Sequence, residues 1–136
     1  MDQIHSDVLA RFQGEIDRGQ VVVHRANSSE AAATFPDYYF DWVYIDGDHH
    51  YAFVRGDLFA FLPKVKSGGL ICGDDYHKRG WWGDGVVRAV NEFAEQVGCP
   101  LSKSLDGQFV LFLPQGLEEG PPSPSLLGCR RADCAS

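Results

Sequence analysis

The run FDWVYIDGDHHYAFVRGDLFAFLPKVKSGGLICGDDYH, residues 40–77, decides the fold. It opens on FDWVYI (40–45), an aromatic and β-branched stretch that predicts a strand, closed by the turn formers Asp46-Gly47. Residues 50–63 then place Tyr51, Val54, Leu58, Phe61 and Leu62 on one side of a helix, with Lys64 and Lys66 trailing where cations suit the helix dipole. Asp57 is expected on the exposed face of that helix. Ser67-Gly68-Gly69 reads as a turn, and LICG (70–73) as a second buried strand ending in Asp74-Asp75. Strand, helix and strand at this spacing make a βαβ unit, so the expected architecture is α/β, an open parallel sheet of Rossmann-like type.

Upstream, Ile4, Val8, Leu9, Phe12 and Ile16 recur at helical spacing and Gly19 follows as a stop, which predicts one amphipathic helix. VVVH (21–24) is short and β-branched, the pattern of a strand buried on both faces of a parallel sheet. Ser28 or Ser29 is a candidate N-cap for a short helix that Pro36 ends. Downstream, Val86, Val87, Val90, Phe93, Ala94 and Val97 define a helix over about 85–97, stopped by Gly98, and 108–113 is a last strand. From 115 to 136 the chain is rich in Gly, Pro and Ser without apolar periodicity, which predicts a disordered tail behind a domain spanning 1–114.

Composition excludes several classes of function. The chain has 136 residues, 44% of them hydrophobic, which is enough for one domain with a core. A net charge of -7 without a run of Lys or Arg argues against a surface for nucleic-acid phosphates or anionic lipid. No stretch is long and apolar enough for a membrane span, and the N-terminus lacks a signal-peptide layout, so a cytoplasmic location is expected. Cys72, Cys99, Cys129 and Cys134 form neither a CxxC pair nor a disulfide framework, so reduced thiols are expected.

In an open α/β sheet, function sits at the carboxyl ends of the strands, and here those ends carry acids: Asp46 after one strand, Asp74 and Asp75 after the next. Neighbouring strands lie about 5 Å apart. Carboxylates gathered that closely raise one another's pKa unless a cation neutralises them. An all-oxygen set points to a hard ion, Mg²⁺ first and Mn²⁺ second. The plain alternative for each acid is a turn former or a helix cap. His49 and His50 are either solvated residues or, beside a metal, a natural general base.

This segment, followed by GVVRAVNEF (85–93), resembles the class I S-adenosylmethionine-dependent methyltransferases, in particular the metal-dependent sugar O-methyltransferases of macrolide and aminocoumarin biosynthesis. The likeness covers about 21–93 and rests on IDGDHxY, a helix with an Asp, GG, a strand and DDY in order. It implies S-adenosylmethionine as cofactor and Mg²⁺ or Mn²⁺ held by Asp46, Asp74 and Asp75. It also implies Asp48 or His49 as the base for a small-molecule hydroxyl substrate. The loop carrying Ser28 and Ser29 is implied to lie against the adenine, with Asp46 also at the cofactor.

The resemblance is to the C-terminal half of such a domain. The first strands, with their Gly-rich cofactor loop and ribose-binding acid, have no counterpart before Val21. The glycines of Gly80-Trp81-Trp82-Gly83-Asp84-Gly85 follow the Asp pair and reverse the GxGxxG order, so the two tryptophans are expected as an aromatic lid over the substrate mouth or a patch against a partner. A sheet without its first strands exposes an edge, which predicts a homo-oligomer or a completing partner chain there. Two other classes stand beside the methyltransferase reading. One is a non-catalytic remnant or interaction module. The other is a metal-dependent phosphoesterase, because Asp48-His49-His50 spells the DHH triplet of one such family.

Overall fold

The computed structural model describes residues 2–103 and 106–116, so most of the expected tail, with Cys129 and Cys134, lies outside the described residues. Among the described residues, five helices and four strands follow one another: α1 (Asp2–Arg11), α2 (Gln13–Asp17), α3 (Ser28–Ala33), β1 (Phe40–Ile45), α4 (Tyr51–Phe61), β2 (Val65–Gly73), α5 (Gly85–Val97), β3 (Leu101–Lys103) and β4 (Phe109–Phe112). A 3₁₀ turn, Leu62–Lys64, links α4 to β2. The open α/β sheet expected from the sequence forms, in the order β1-β2-β4-β3.

The βαβ unit is as its pattern predicts, with β1 and β2 parallel and Trp42 paired to Leu70 and Ile45 to Gly73. The rest of the sheet is antiparallel, however: β4 runs against β2, and β3 against β4. The sheet is therefore mixed rather than wholly parallel. A short return after α5 produces this, because β3 and β4 are joined by too few residues for a crossover helix. Ser67-Gly68-Gly69 is not a turn between elements but part of β2, where the pairing to β1 is irregular between Phe40 and Trp42 and Gly68 takes a φ of 71°.

The expected strand at 21–24 is absent; these residues have no regular structure, and Val22 is 70% exposed. A β-branched run supplies propensity, whereas a strand needs a ladder partner for its N–H and C=O groups. Among the described residues β1 pairs only with β2, so nothing beside it orders 21–24. The N-terminal helix is also divided, with a turn at Phe12 separating α1 from α2, and Ile4, Val8 and Phe12 remain exposed. Gly19 ends the segment with a φ of 71°, as a helix stop should. The N-cap of α3 is Asn27, not Ser28 or Ser29.

The core lies where α4 and α5 pack together against the sheet. Val54 and Leu58 of α4 meet Val86, Ala89, Val90 and Phe93 of α5 over Ile45, Ile71, Phe109 and Leu111. Phe93 is fully buried, edge-on to Phe59 with ring centroids 5.0 Å apart. α5 covers the expected residues and ends at Gly98, whose φ of 72° puts it in the left-handed region and lets its N–H bond back to the Ala94 carbonyl. A Cβ at Gly98 would meet no atom within 4 Å, so Gly98→Ala is expected to cost only the left-handed backbone penalty, about 1 kcal/mol. Urea unfolding checks this; a loss beyond about 3 kcal/mol would show packing at that position instead. Among the described residues, no helix is long and apolar enough to cross a membrane.

Candidate active site

Because β1 and β2 are parallel and in register at Ile45 and Gly73, the residues following them, Asp46 and Asp74, emerge side by side at the same end of the sheet. The Asp74 N–H donates to the Ile45 carbonyl at 3.4 Å, extending that pairing by one residue. A cavity of about 10 Å³ closes between the strand ends, lined by Asp46, Asp48, His49, Asp74 and Asp75 with Val54, Val86 and Phe109 beneath. The five polar residues that the sequence singles out at the strand ends thus meet at one place.

Asp75 is the bend in this arrangement. Its φ of 61° lies in the left-handed region, which costs a non-glycine residue about 1 kcal/mol. Local hydrogen bonds hold it there: its N–H donates to Asp74 Oδ1 at 2.8 Å, and its carbonyl accepts from the His77 N–H at 2.7 Å. The carboxylate then lies 3.0 Å from His49 Nε2 and 3.6 Å from His77 Nε2. A neutral His49 ring that donates Nε2–H to Asp75 carries its lone pair on Nδ1, which makes it a proton acceptor with a fixed tautomer.

Asp48, the other expected base, is differently placed. Its Oδ1 accepts the His50 backbone N–H at 2.8 Å and lies 2.6 Å from His50 Nδ1. The backbone donation, then the imidazole, holds its carboxyl below the usual aspartate value and makes it a weaker proton acceptor. The Asp48-His49-His50 triplet is therefore split, His50 pairing with Asp48 and His49 with Asp75.

Among the described residues, no group of three or more His, Cys, Asp or Glu side chains is arranged to hold a metal ion. Asp46, Asp74 and Asp75 share the cavity, but Asp74 Oδ1 accepts a backbone N–H and Asp75 faces two imidazoles. As arranged, the trio does not fit a three-carboxylate Mg²⁺ or Mn²⁺ cage.

Two clefts open beside the cavity. One, of about 490 Å³, is lined by Ala26, Asn27, Ser28, Ser29, Asp48, Phe53 and Asp57. The other, of about 310 Å³, is bordered by Ser28, Tyr44, Asp46, Gly47, Asp57 and Phe61 among others. Ser28, Ser29 and Asp46, the expected cofactor residues, all line this space. Each cleft falls within the roughly 300–1,000 Å³ of small-ligand sites, and their mixture of hydroxyls, carboxylates and aromatic rings fits a nucleoside such as the adenosine of S-adenosylmethionine.

Asp57 departs from expectation. It is not on an exposed face but half-buried at the wall common to both clefts, which Ser28 also lines. Its spacing held the signal: it is three residues after Val54 and one before Leu58, on the border of the stripe that α4 buries.

The tryptophans gather around His49. The Trp81 ring, 73% exposed, is stacked with His49 at 6.2 Å, and Trp82 meets His49 edge-on at 4.5 Å. Trp82 also lies 5.5 Å from His77, and its buried Nε1 has no hydrogen-bond partner among the described residues. Behind them, α5 begins at Gly85 so close to the site loop that a Cβ there would stand 2.8 Å from the His49 carbonyl and 3.0 Å from the Tyr51 nitrogen.

Residues 3–76, more than half of the 136, match the methyltransferase domain family. The chain belongs to that family. No curated protein matches it. Among solved structures, a Corynebacterium glutamicum protein is 12% identical with a TM-score of 0.68, the likeness covering 84% of this chain and 57% of that one. A possible exported protein from Bordetella parapertussis is 12% identical with a TM-score of 0.56, covering 82% and 50%. The chain thus spans about half the length of these fold relatives.

Proposed function

We propose that the chain carries the acceptor side and part of the cofactor cleft of an S-adenosylmethionine-dependent O-methyltransferase acting on a small-molecule hydroxyl. The observation that supports this most directly is the His49–Asp75 pair, 3.0 Å apart at the strand ends and next to the Ser28 cleft. The cofactor, when bound, supplies a methyl group on a positively charged sulfur. His49 takes the acceptor's proton at Nδ1 as the new oxygen–carbon bond forms and the carbon–sulfur bond breaks. Asp75 holds the ring in the required tautomer and stabilises the imidazolium that results. Trp81 and Trp82 cover the imidazole and limit water at the reacting oxygen, while Ser28 and Ser29 face the cofactor.

Calorimetric titration of the full chain with S-adenosylmethionine and S-adenosylhomocysteine tests the cofactor half of this reading. Saturable binding of both is expected, and Ser28→Phe, which fills the cleft, is expected to weaken each about tenfold or more. Absence of heat with both ligands, together with unchanged NMR shifts around Ser28, would leave an interaction module as the better account.

A further inference from the structure

The acid on the border of the buried stripe of α4 occupies the most telling place in the cleft. Asp57 extends from α4 into the wall shared by the two clefts, and a Cβ on Gly47 would stand 3.5 Å from its Oδ2. The groups acting on it are the Ser28 side chain and the negative charge of Asp48, with no cation among them. A carboxylate offers about four lone-pair sites, so one hydroxyl leaves most of its acceptor capacity unfilled. A half-buried acceptor short of donors is costly to leave unfilled, and a ligand N–H relieves that cost. Burial pushes the Asp57 carboxyl up, with Ser28 acting against that and the Asp48 charge adding to it.

The larger cleft supplies the complementary feature. Phe53, 61% exposed, lines it together with Asn27 and Ser28. An open phenyl face is a platform for a flat ring, and an acceptor beside such a platform selects rings that carry an amino group at their edge. A 6-oxo group in the same position would set a carbonyl oxygen against a carboxylate, with no proton between them.

We propose that Asp57 is a binding residue for the nucleobase of the cofactor, accepting a hydrogen bond from the exocyclic amine of adenine while Phe53 stacks on the ring. This rests on the methyltransferase reading above and adds to it a base-recognition residue and a selectivity, 6-amino over 6-oxo purine.

The test compares S-adenosylhomocysteine with S-inosylhomocysteine, titrated into the full chain and three variants by calorimetry. The unsubstituted chain is expected to favour the adenosyl ligand at least about tenfold, the scale of one hydrogen bond to a charged acceptor. Asp57→Asn, which keeps the shape but can donate to a 6-oxo group, is expected to bring that ratio to about one or below. Asp57→Ala should lower adenosyl affinity about tenfold and also erase the preference. Phe53→Ala should weaken both ligands by about the same factor and preserve the ratio, because stacking does not distinguish the two bases. Circular dichroism and thermal melting of each variant separate loss of folding from loss of contact. Binding of both ligands with an unaltered ratio in Asp57→Asn and Asp57→Ala overturns the Asp57 assignment and leaves the methyltransferase reading in place. Failure of the unsubstituted chain to bind either ligand overturns both.

Discussion

Replacing His49 with glutamine is expected to lower methyl transfer to a hydroxyl acceptor by about 10²–10⁴-fold, the usual contribution of a positioned general base. Affinity for S-adenosylhomocysteine should stay within about threefold, because His49 does not line the cleft that holds Ser28 and Ser29. Asp75→Asn should reproduce much of the loss, since an amide at 3.0 Å from His49 Nε2 can favour the wrong tautomer and cannot stabilise the imidazolium. Asp48→Asn provides the contrast. With its Oδ1 occupied by His50 and its pKa lowered first by the His50 backbone N–H, Asp48 is expected to matter less than either. Single-turnover transfer from radiolabelled S-adenosylmethionine to a panel of phenolic and sugar acceptors measures all three variants. Full activity in His49→Gln combined with loss in Asp48→Asn would move the base to Asp48.

The largest effect on stability is expected at Phe93. Its ring has no exposed surface, packs edge-on against Phe59, and belongs to the cluster joining α4, α5 and the sheet. Phe93→Ala removes that ring and leaves a cavity between two helices that the strands hold apart, at a cost of about 3–5 kcal/mol. A domain of this size has about 5–15 kcal/mol in total, so the variant should unfold at much lower urea and expose hydrophobic surface to dyes. A loss below about 1 kcal/mol would mean that the α4–α5 contact does not organise the core.

The features legible in the sequence are those fixed by local periodicity. FDWVYI, the Tyr51–Leu62 stripe and the Val86–Phe93 stripe each carry enough apolar residues at one period to define an element, and Gly98 ends its helix through backbone conformation alone. The placement of Asp46 and Asp74 follows, since acids that end two parallel strands must emerge together. The features not legible depend on partners distant in the chain. VVVH has the composition of a strand but no neighbour among the described residues to pair with, and β3 is too short to show a pattern. The left-handed turn at Asp75 was equally hidden, and with it the choice between an acid facing a metal and an acid facing His49. Sequence gives the acid; the backbone angle decides what it faces. The place of Asp57 is hidden for a related reason, because the border of a buried stripe is either solvent or cleft according to what lies opposite, and here the Ser28 side of the cleft does.

The contact at Gly85 has a consequence for how such a site can diverge. The loop bearing His49 rests on the first turn of α5 through main-chain atoms, with no side chain interposed. Two residues further on, α5 side chains take over, with Tyr51 donating to Glu92 and carrying the Arg88 guanidinium over its ring, so those two positions are tied to the loop as well. Position 85 is the most restricted: even one methyl group there would push directly on the His49 carbonyl. Substrate preference can thus evolve through the exposed Trp81 and the open clefts while the His49 loop stays in place, seated on a helix turn that carries no side chain at the point of contact.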